Sequence, residues 1–398
     1  MDYLSDLTKE EYFNLEKVNY FNSLKLKKTD IRNGYVLPVI DLEISKTSGP
    51  IFGAGGVVNE NGEYVVDSGQ YAYNMRDRVS GKYNFDNTKV KYVHKTVIYM
   101  NYFIHQWGHF LIDVIARLWY AIENPDIPIV YTCKKGETDK IKGNYLELLE
   151  LLGISKSRLI LINEVTKFDH IIIPDSSILP GKYYTKEYLN LFSIIHSKCC
   201  QDCIPNKKIY CSRTMLKTNK EDGENYIEKI YNENGYSSVY LEKLNLKEQI
   251  ILLNSSKEIA MISGTLPHNL LFVRSNPNVT IINKTYRPNI HQFLINSITN
   301  ANVKFVDAYV APLPVLYGRG PFLIRITQEF KQYSDDMHFN STHLKVNTKL
   351  AIFDKLKYYL RWGYYYKWYI IKHHPVEEGG FDIPIAAIRD EYIKIQNN

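Results

Sequence analysis

Cysteine is scarce in this chain: five in 398 residues, at Cys133, Cys199, Cys200, Cys203 and Cys211. Cys200 and Cys203 have metal-ligand spacing, but no second pair or neighbouring histidine completes a zinc set. Free thiols in a reducing compartment are therefore expected. Long apolar runs are missing as well. No stretch of about 18 residues is both apolar and uncharged, which excludes a spanning helix. The opening MDYLSDLTKEEYFNL is polar and acidic, so neither a signal peptide nor an anchor is expected. These absences point to the cytoplasm, with at most a peripheral seat on the inner face of the plasma membrane. An excess of one charge is also lacking. There are 49 basic and 43 acidic residues, a net charge of +6. That suits an acidic or phosphate-bearing ligand and does not argue for nucleic acid, which calls for a concentrated basic face. No complete G-x-G-x-x-G with an acid about 20 residues on is present, which speaks against a nucleotide-cofactor oxidoreductase. Gly53-Ala-Gly-Gly56 lacks the third glycine and no helix follows it, so it reads as a turn.

What is present is enough apolar residue for sizeable cores, 45% of the chain, at a length that suggests two domains. Residues 1–200 read as a first α/β domain with a β-rich opening. Strands are expected at Tyr35–Ile44 and Gly56–Tyr64, joined to later strands and helices that imply a mostly parallel sheet. From Lys207 a second alternation begins. Five strands and four intervening helices up to about residue 310 predict a Rossmann-like domain. Residues 311–398 form a C-terminal extension, mostly loop with a short helix, then an aromatic and basic helix over 349–372.

Three stretches carry chemistry. In HQWGHFLIDVIARLW, His105, His109 and Asp113 recur every four residues and Arg117 continues the stripe, so a helix would put them on one face. An imidazole one turn from a carboxylate is either a base with its orienting partner or a buried packing bond. The second stretch is Ser212, Arg213 and Lys217, just past the first strand of the second alternation. Open α/β sheets bind ligands at that edge, and Arg and Lys suit a diphosphate; a solvated basic loop is the plain alternative. The third is Ser263-Gly-Thr-Leu-Pro-His-Asn-Leu, where a strand ends at Gly264 and Pro267 opens a helix. Helix-start amides favour phosphate, with Thr265, His268 and Asn269 as further donors.

Taken together these stretches resemble glycosyltransferase family 61, in particular its bacterial capsular-polysaccharide branch. The likeness rests on His105-x-x-Gly108-His109-Phe110-Leu111-x-Asp113 with Arg117-Leu118-Trp119, and on Ile209-Tyr210-x-Ser212-Arg213. Leu241-Glu242-x-Leu244 with Glu248-Gln249, and Gly264-x-x-x-x-Asn269-Leu270-Leu271-Phe272, complete it. The order and spacing match over about residues 50–285. The resemblance implies a GT-B-like fold, two Rossmann-like domains facing a cleft. It also implies an inverting, metal-independent transfer from a nucleotide sugar, UDP-sugar first, to a saccharide or lipid-linked saccharide acceptor, with no cofactor. By analogy Asp113 or His109 takes the acceptor proton, Asp113 first, and His105 and Arg117 line the acceptor side. Ser212, Arg213, Lys217, Glu242, Gly264, Thr265, His268 and Asn269 fall to the donor. A non-catalytic sugar-binding or assembly protein on the same fold is the alternative, beside the oxidoreductase.

The 349–372 segment lies outside that likeness. It holds nine aromatic residues interleaved with Lys and Arg, and Asp354 is its one acid. Trp and Tyr favour a membrane interface and the basic residues favour anionic lipid; the competing expectation is a helix packed across the domains.

Overall fold

The alternating apolar segments fold as two α/β units in the computed structural model. It describes residues 2–41, 49–73, 76–216, 221–314, 320–340 and 343–371, and of 365–371 the backbone only. Among the described residues, one unit is Asn19–Cys199; the other joins residues 2–18 to residues from Cys200 onward. The first helix, α1 (Asp6–Glu16), thus goes with the second unit, although the sequence reading puts it at the head of the first. The reason is Asp307. Its buried carboxylate accepts the Ser5 N–H (2.9 Å), the Ser5 hydroxyl (2.8 Å), the Thr8 hydroxyl and the Asn283 amide (2.8 Å). Tyr12 completes the seat, meeting Phe293 and Phe305 edge-on.

In the Asn19–Cys199 unit the strands are β1 (Lys28–Arg32), β2 (Tyr35–Ile40), β3 (Ala54–Val58), β4 (Lys91–Tyr102), β5 (Ile129–Thr132), β6 (Leu159–Ile162) and β7 (Thr166–Pro174). They form one sheet in the order β3-β2-β7-β4-β5-β6, with β1 also on β7. β4 to β7 pair in parallel, while β1 and β2 meet β7, and β2 meets β3, antiparallel. The sheet is therefore mixed, with the β-rich opening supplying its antiparallel part. Val36, Val57, Val97, Tyr99, Val130, Phe168 and Ile171 pack as one core cluster of this unit. Gly56 lies within β3 and not in a turn. Its φ is +125°, and a Cβ there would stand 2.6 Å from the Ser68 hydroxyl, so the glycines serve close packing.

β4 is exposed at Lys91 and buried by Tyr102, and it runs straight into the stretch that carries His109. That stretch is not one regular helix. A single α-turn, α2 (Trp107–His109), leads into a π-turn over Phe110–Val114, a 3-10 turn over Ile115–Arg117, and α3 (Leu118–Glu123). α4 (Asn144–Leu151) ends at Gly153, φ +82°, and α5 (Lys186–Cys199) closes the unit after a small β8–β9 hairpin (Ile178–Leu179, Tyr183–Tyr184).

The second unit holds β10 (Lys207–Cys211), β11 (Glu221–Asp222), α6 (Glu224–Glu233), β12 (Ser237–Val239), α7 (Leu246–Asn254), β13 (Ser256–Ile262), β14 (Asn278–Asn283), α8 (Ile290–Asn296) and β15 (Asn302–Asp307). Its main sheet, β12-β10-β13-β14-β15, is parallel throughout. The direction of winding reverses between β10 and β13, which makes their carboxyl ends the topological switch point. β16 (Tyr309–Val310) and β17 (Phe322–Ile324), the second inside the stretch expected as mostly loop, form a small sheet with β11, and the short helix expected in that stretch is α9 (Gln328–Asp336). Strands of two or three residues carry too little periodicity to be read from sequence.

α10 (Ile352–Ile371) ends the described chain. Tyr358 is buried, and the Trp362 indole donates to Pro314 O at 2.8 Å. Lys357 and Arg361 pair with Asp222, at 2.9 and 3.6 Å. Two of the cations expected to meet lipid are thus engaged within the protein. Ile352, Phe353, Leu356, Leu360 and Tyr364 are exposed, the first two at 84%. Among the described residues no helix is long and apolar enough to cross a membrane.

Candidate functional site

Two polar clusters stand out, one in each unit. In the first, the broken helix brings the His109 ring and the Asp113 carboxylate together, Nδ1 to Oδ2 at 2.5 Å. A π-turn widens the helix by one residue and often marks a functional position. The two side chains differ in access. The Asp113 side chain is fully buried, and the His109 side chain keeps 21% of its surface. The carboxylate lies near the Arg78 guanidinium, Oδ2 to Nε 3.7 Å, with Arg78 itself buried. Across from Asp113, the Tyr188 hydroxyl on α5 donates to Leu111 O at 2.9 Å. Burial, with the Asp113 charge added, keeps that phenol neutral, well above its ordinary range.

The other members of the stripe part company with this pair. His105 precedes the helix and is exposed, leaning on Phe103 and Tyr145. Arg117 is buried and braces the fold. Its donors reach Pro174 O (2.9 Å), Asp67 O (2.5 Å), Gly69 O (3.1 Å) and the Asn101 side chain. The π-turn and the 3-10 turn after it rotate Arg117 off the stripe and into the strand ends. Arg78 and Tyr188 carried no motif in the sequence; only the fold brings them to Asp113.

The second cluster sits at the switch point. Arg213 follows β10, Gly264 follows β13 and Lys284 follows β14, all at the carboxyl edge. A Cβ on Gly264 would lie 3.4 Å from both the Arg213 and Lys284 cationic groups, so the missing side chain lets the backbone come close to two cations. Gly264 has φ +136°, which also favours glycine. Glu221, buried on β11, pairs with Lys284 at 2.5 Å and Arg213 at 3.3 Å. Neither Lys284 nor Glu221 was singled out by sequence, because both lie in unremarkable contexts. The Ser212 hydroxyl is buried and shares a 2.8 Å bond with Thr214, and Glu242 is exposed in a 3-10 turn. Thr265 stands at the N-cap position of the turn that follows Gly264, with no capping bond from its side chain. His268 is buried, its Nε2 3.0 Å from the Asn289 amide, and that amide also donates to Gly264 O at 3.2 Å. Asn269 is buried beside it. Lys217 lies outside the described residues.

The short helix expected from Gly264 through Phe272 is present, as a seven-residue 3-10 helix, Leu266–Phe272. Its short, poorly aligned peptide dipoles offer little to an anion, so any anion held here depends on Arg213 and Lys284.

Glu224 opens α6 directly beneath. Its Oε1 accepts the Arg213 N–H at 2.8 Å and Oε2 has no hydrogen-bond partner. Burial pushes its carboxyl up to about 7, against the pull of the Arg213 bond. A folded value above the unfolded one stabilises the protonated fold. That contribution is present below about 4.5 and is lost as pH rises through about 7. Thermal melts should therefore show stability falling over this window, by on the order of 3 kcal/mol for the full shift. Glu224→Gln should flatten the slope and be the more stable form at pH 8. An unchanged slope in the variant would sink this reading.

Among the described residues no three His, Cys, Asp or Glu side chains gather as a metal set. No curated protein matches the chain. Residues 107–282 match the family described as Glycosyltransferase 61, a span that opens at the broken helix and runs through the end of β14 nearly to its last residue. The matched span contains the His109–Asp113 pair, Arg213 and Gly264, so this part of the chain is similar to glycosyltransferase family 61.

Proposed function

We propose that the protein is an inverting, metal-independent glycosyltransferase that moves a sugar from a nucleotide-sugar donor, UDP-sugar first, to a saccharide or lipid-linked saccharide in bacterial surface polysaccharide synthesis. The donor site and the proton-accepting pair are assigned to different units, in the GT-B manner. The observation that carries the donor assignment is the meeting of Arg213 and Lys284 at Gly264, on the switch point of a parallel sheet. Two cations beside a bare backbone suit a diphosphate, and they would stabilise it as it leaves.

His109 is the base in this proposal. Its ring reaches solvent and Asp113 does not. An ionised Asp113 accepts Nδ1–H, so Nε2 carries the lone pair that takes the acceptor proton as the hydroxyl attacks the anomeric carbon. Asp113, favoured on spacing, becomes the group that orients the ring. A panel of UDP-, GDP- and CMP-sugars, scored for transfer and hydrolysis with the anomeric configuration of the product read by NMR, tests the proposal. Turnover of none of them, or retention of configuration, would refute it.

The enzyme is further proposed to lie on anionic lipid through α10. The apolar row Ile352, Phe353, Leu356, Leu360 and Tyr364 faces outward beside exposed Lys355, and Trp and Tyr rings suit a lipid interface. Full-length protein should sediment with vesicles containing anionic lipid at low salt. Phe353→Ser with Leu360→Ser should remain in the supernatant. Equal binding by the double variant, or no binding by the parent, removes the lipid reading.

A further inference from the structure

We propose that Arg78 is a positioning residue for the proton transfer: its guanidinium holds the buried Asp113 carboxylate as an anion aimed at His109. The inference rests on the reading of His109 as the base. Asp113 has no side-chain surface in water, and a carboxylate so enclosed stays charged only beside a compensating group. Arg78 stands 3.7 Å from its Oδ2 and has 4% of its own side-chain surface exposed. Its Nε makes no hydrogen bond, so the contact with Asp113 acts through charge. The backbone of Arg78 is clamped on both sides. Its N–H donates to Gln70 O at 2.8 Å, and its carbonyl accepts the Phe52 N–H at 2.9 Å.

The charge matters because it sets the tautomer. A neutral Asp113 would offer its own proton to Nδ1, and the ring hydrogen would move to Nε2. The lone pair needed by the acceptor would then be gone. An anionic Asp113 takes Nδ1–H and leaves Nε2 free to accept. Among the described residues, the titratable and charged groups recorded against Asp113 are His109 on its own helix, Arg78 on the segment paired to Gln70, and Tyr188 on α5. Tyr188 is neutral, so Arg78 is the permanent cation among these three.

Removing that cation should make the His109–Asp113 pair bind its proton more tightly. In Arg78→Met, ring titration of the full-length protein by NMR, assigned with His109→Ala, should move to higher pH by about one unit. The acid limb of turnover on the nucleotide sugar selected from the panel should follow it. Turnover at neutral pH should fall about tenfold or more while KM for the donor stays. Arg78→Lys should return both curves most of the way; a merely structural arginine would not be rescued in this manner. Arg78→Gln carries the same test if the methionine variant does not fold. Unmoved titration in a folded Met or Gln variant, or no recovery in Arg78→Lys, overturns the proposal. Should His109→Ala keep full turnover while the Arg78 variants still shift the titration, Arg78 governs the pair and the base assignment is what fails.

Discussion

His109→Ala is expected to lower turnover by about 100-fold or more, the usual scale for a positioned base, with donor affinity kept. Asp113→Asn should fall as far for a different reason. Its amide offers N–H to Nδ1 and favours the tautomer with hydrogen on Nε2, so the ring is present but faces the acceptor with a donor. The two variants should differ in stability. His109 is partly exposed and its loss should leave the melting temperature nearly unchanged. Asp113 is fully buried beside Arg78, and neutralising it leaves a buried guanidinium without its anion. A drop of about 3 kcal/mol in unfolding free energy is expected there. Single-turnover kinetics beside thermal melts separate the two effects. Near wild-type turnover in both variants would show that the pair is a packing bond and that the base lies elsewhere.

Arg213→Ala and Lys284→Ala are expected each to weaken donor binding by on the order of 10- to 100-fold, the loss of one charge-assisted contact to a phosphate. The double variant should fall short of the product of the singles, since both cations share Glu221 and each single variant lets the survivor settle on that carboxylate. Affinity for the free nucleotide diphosphate should fall in step with affinity for the sugar donor, since the proposed contact is to phosphate and not to sugar. On the proposed metal-independent reading, chelator should leave the rate of the parent enzyme unchanged. Calorimetric titration with UDP checks the binding, and a strict need for manganese or magnesium would overturn metal independence. Gly264→Ala adds a further check. Its Cβ would sit 3.4 Å from both cationic groups on a backbone with φ +136°, so it should weaken binding without removing any charge.

The linear pattern determined a good deal. Apolar runs at β10, β13, β14 and β15, with amphipathic segments and stop glycines such as Gly235 between them, made the second unit legible as parallel α/β. Those signals are local: a strand or helix shows its period within a few residues. The four-residue interval of His109 and Asp113 was legible for the same reason, and the bond between them is there. Three things came only with the tertiary structure. The π-turn over Phe110–Val114 separates Arg117 from the stripe, and its donors reach carbonyls far away in sequence, Pro174 O at the end of β7 and Asp67 O in a 3-10 turn. Lys284 and Glu221 join Arg213 because three strand ends meet at one edge, an adjacency set by strand order. Arg78 meets Asp113, 35 positions further along the chain, through a packing contact with no spacing rule. Periodicity reports which way a side chain faces; its partner across the core is decided by how the elements stack.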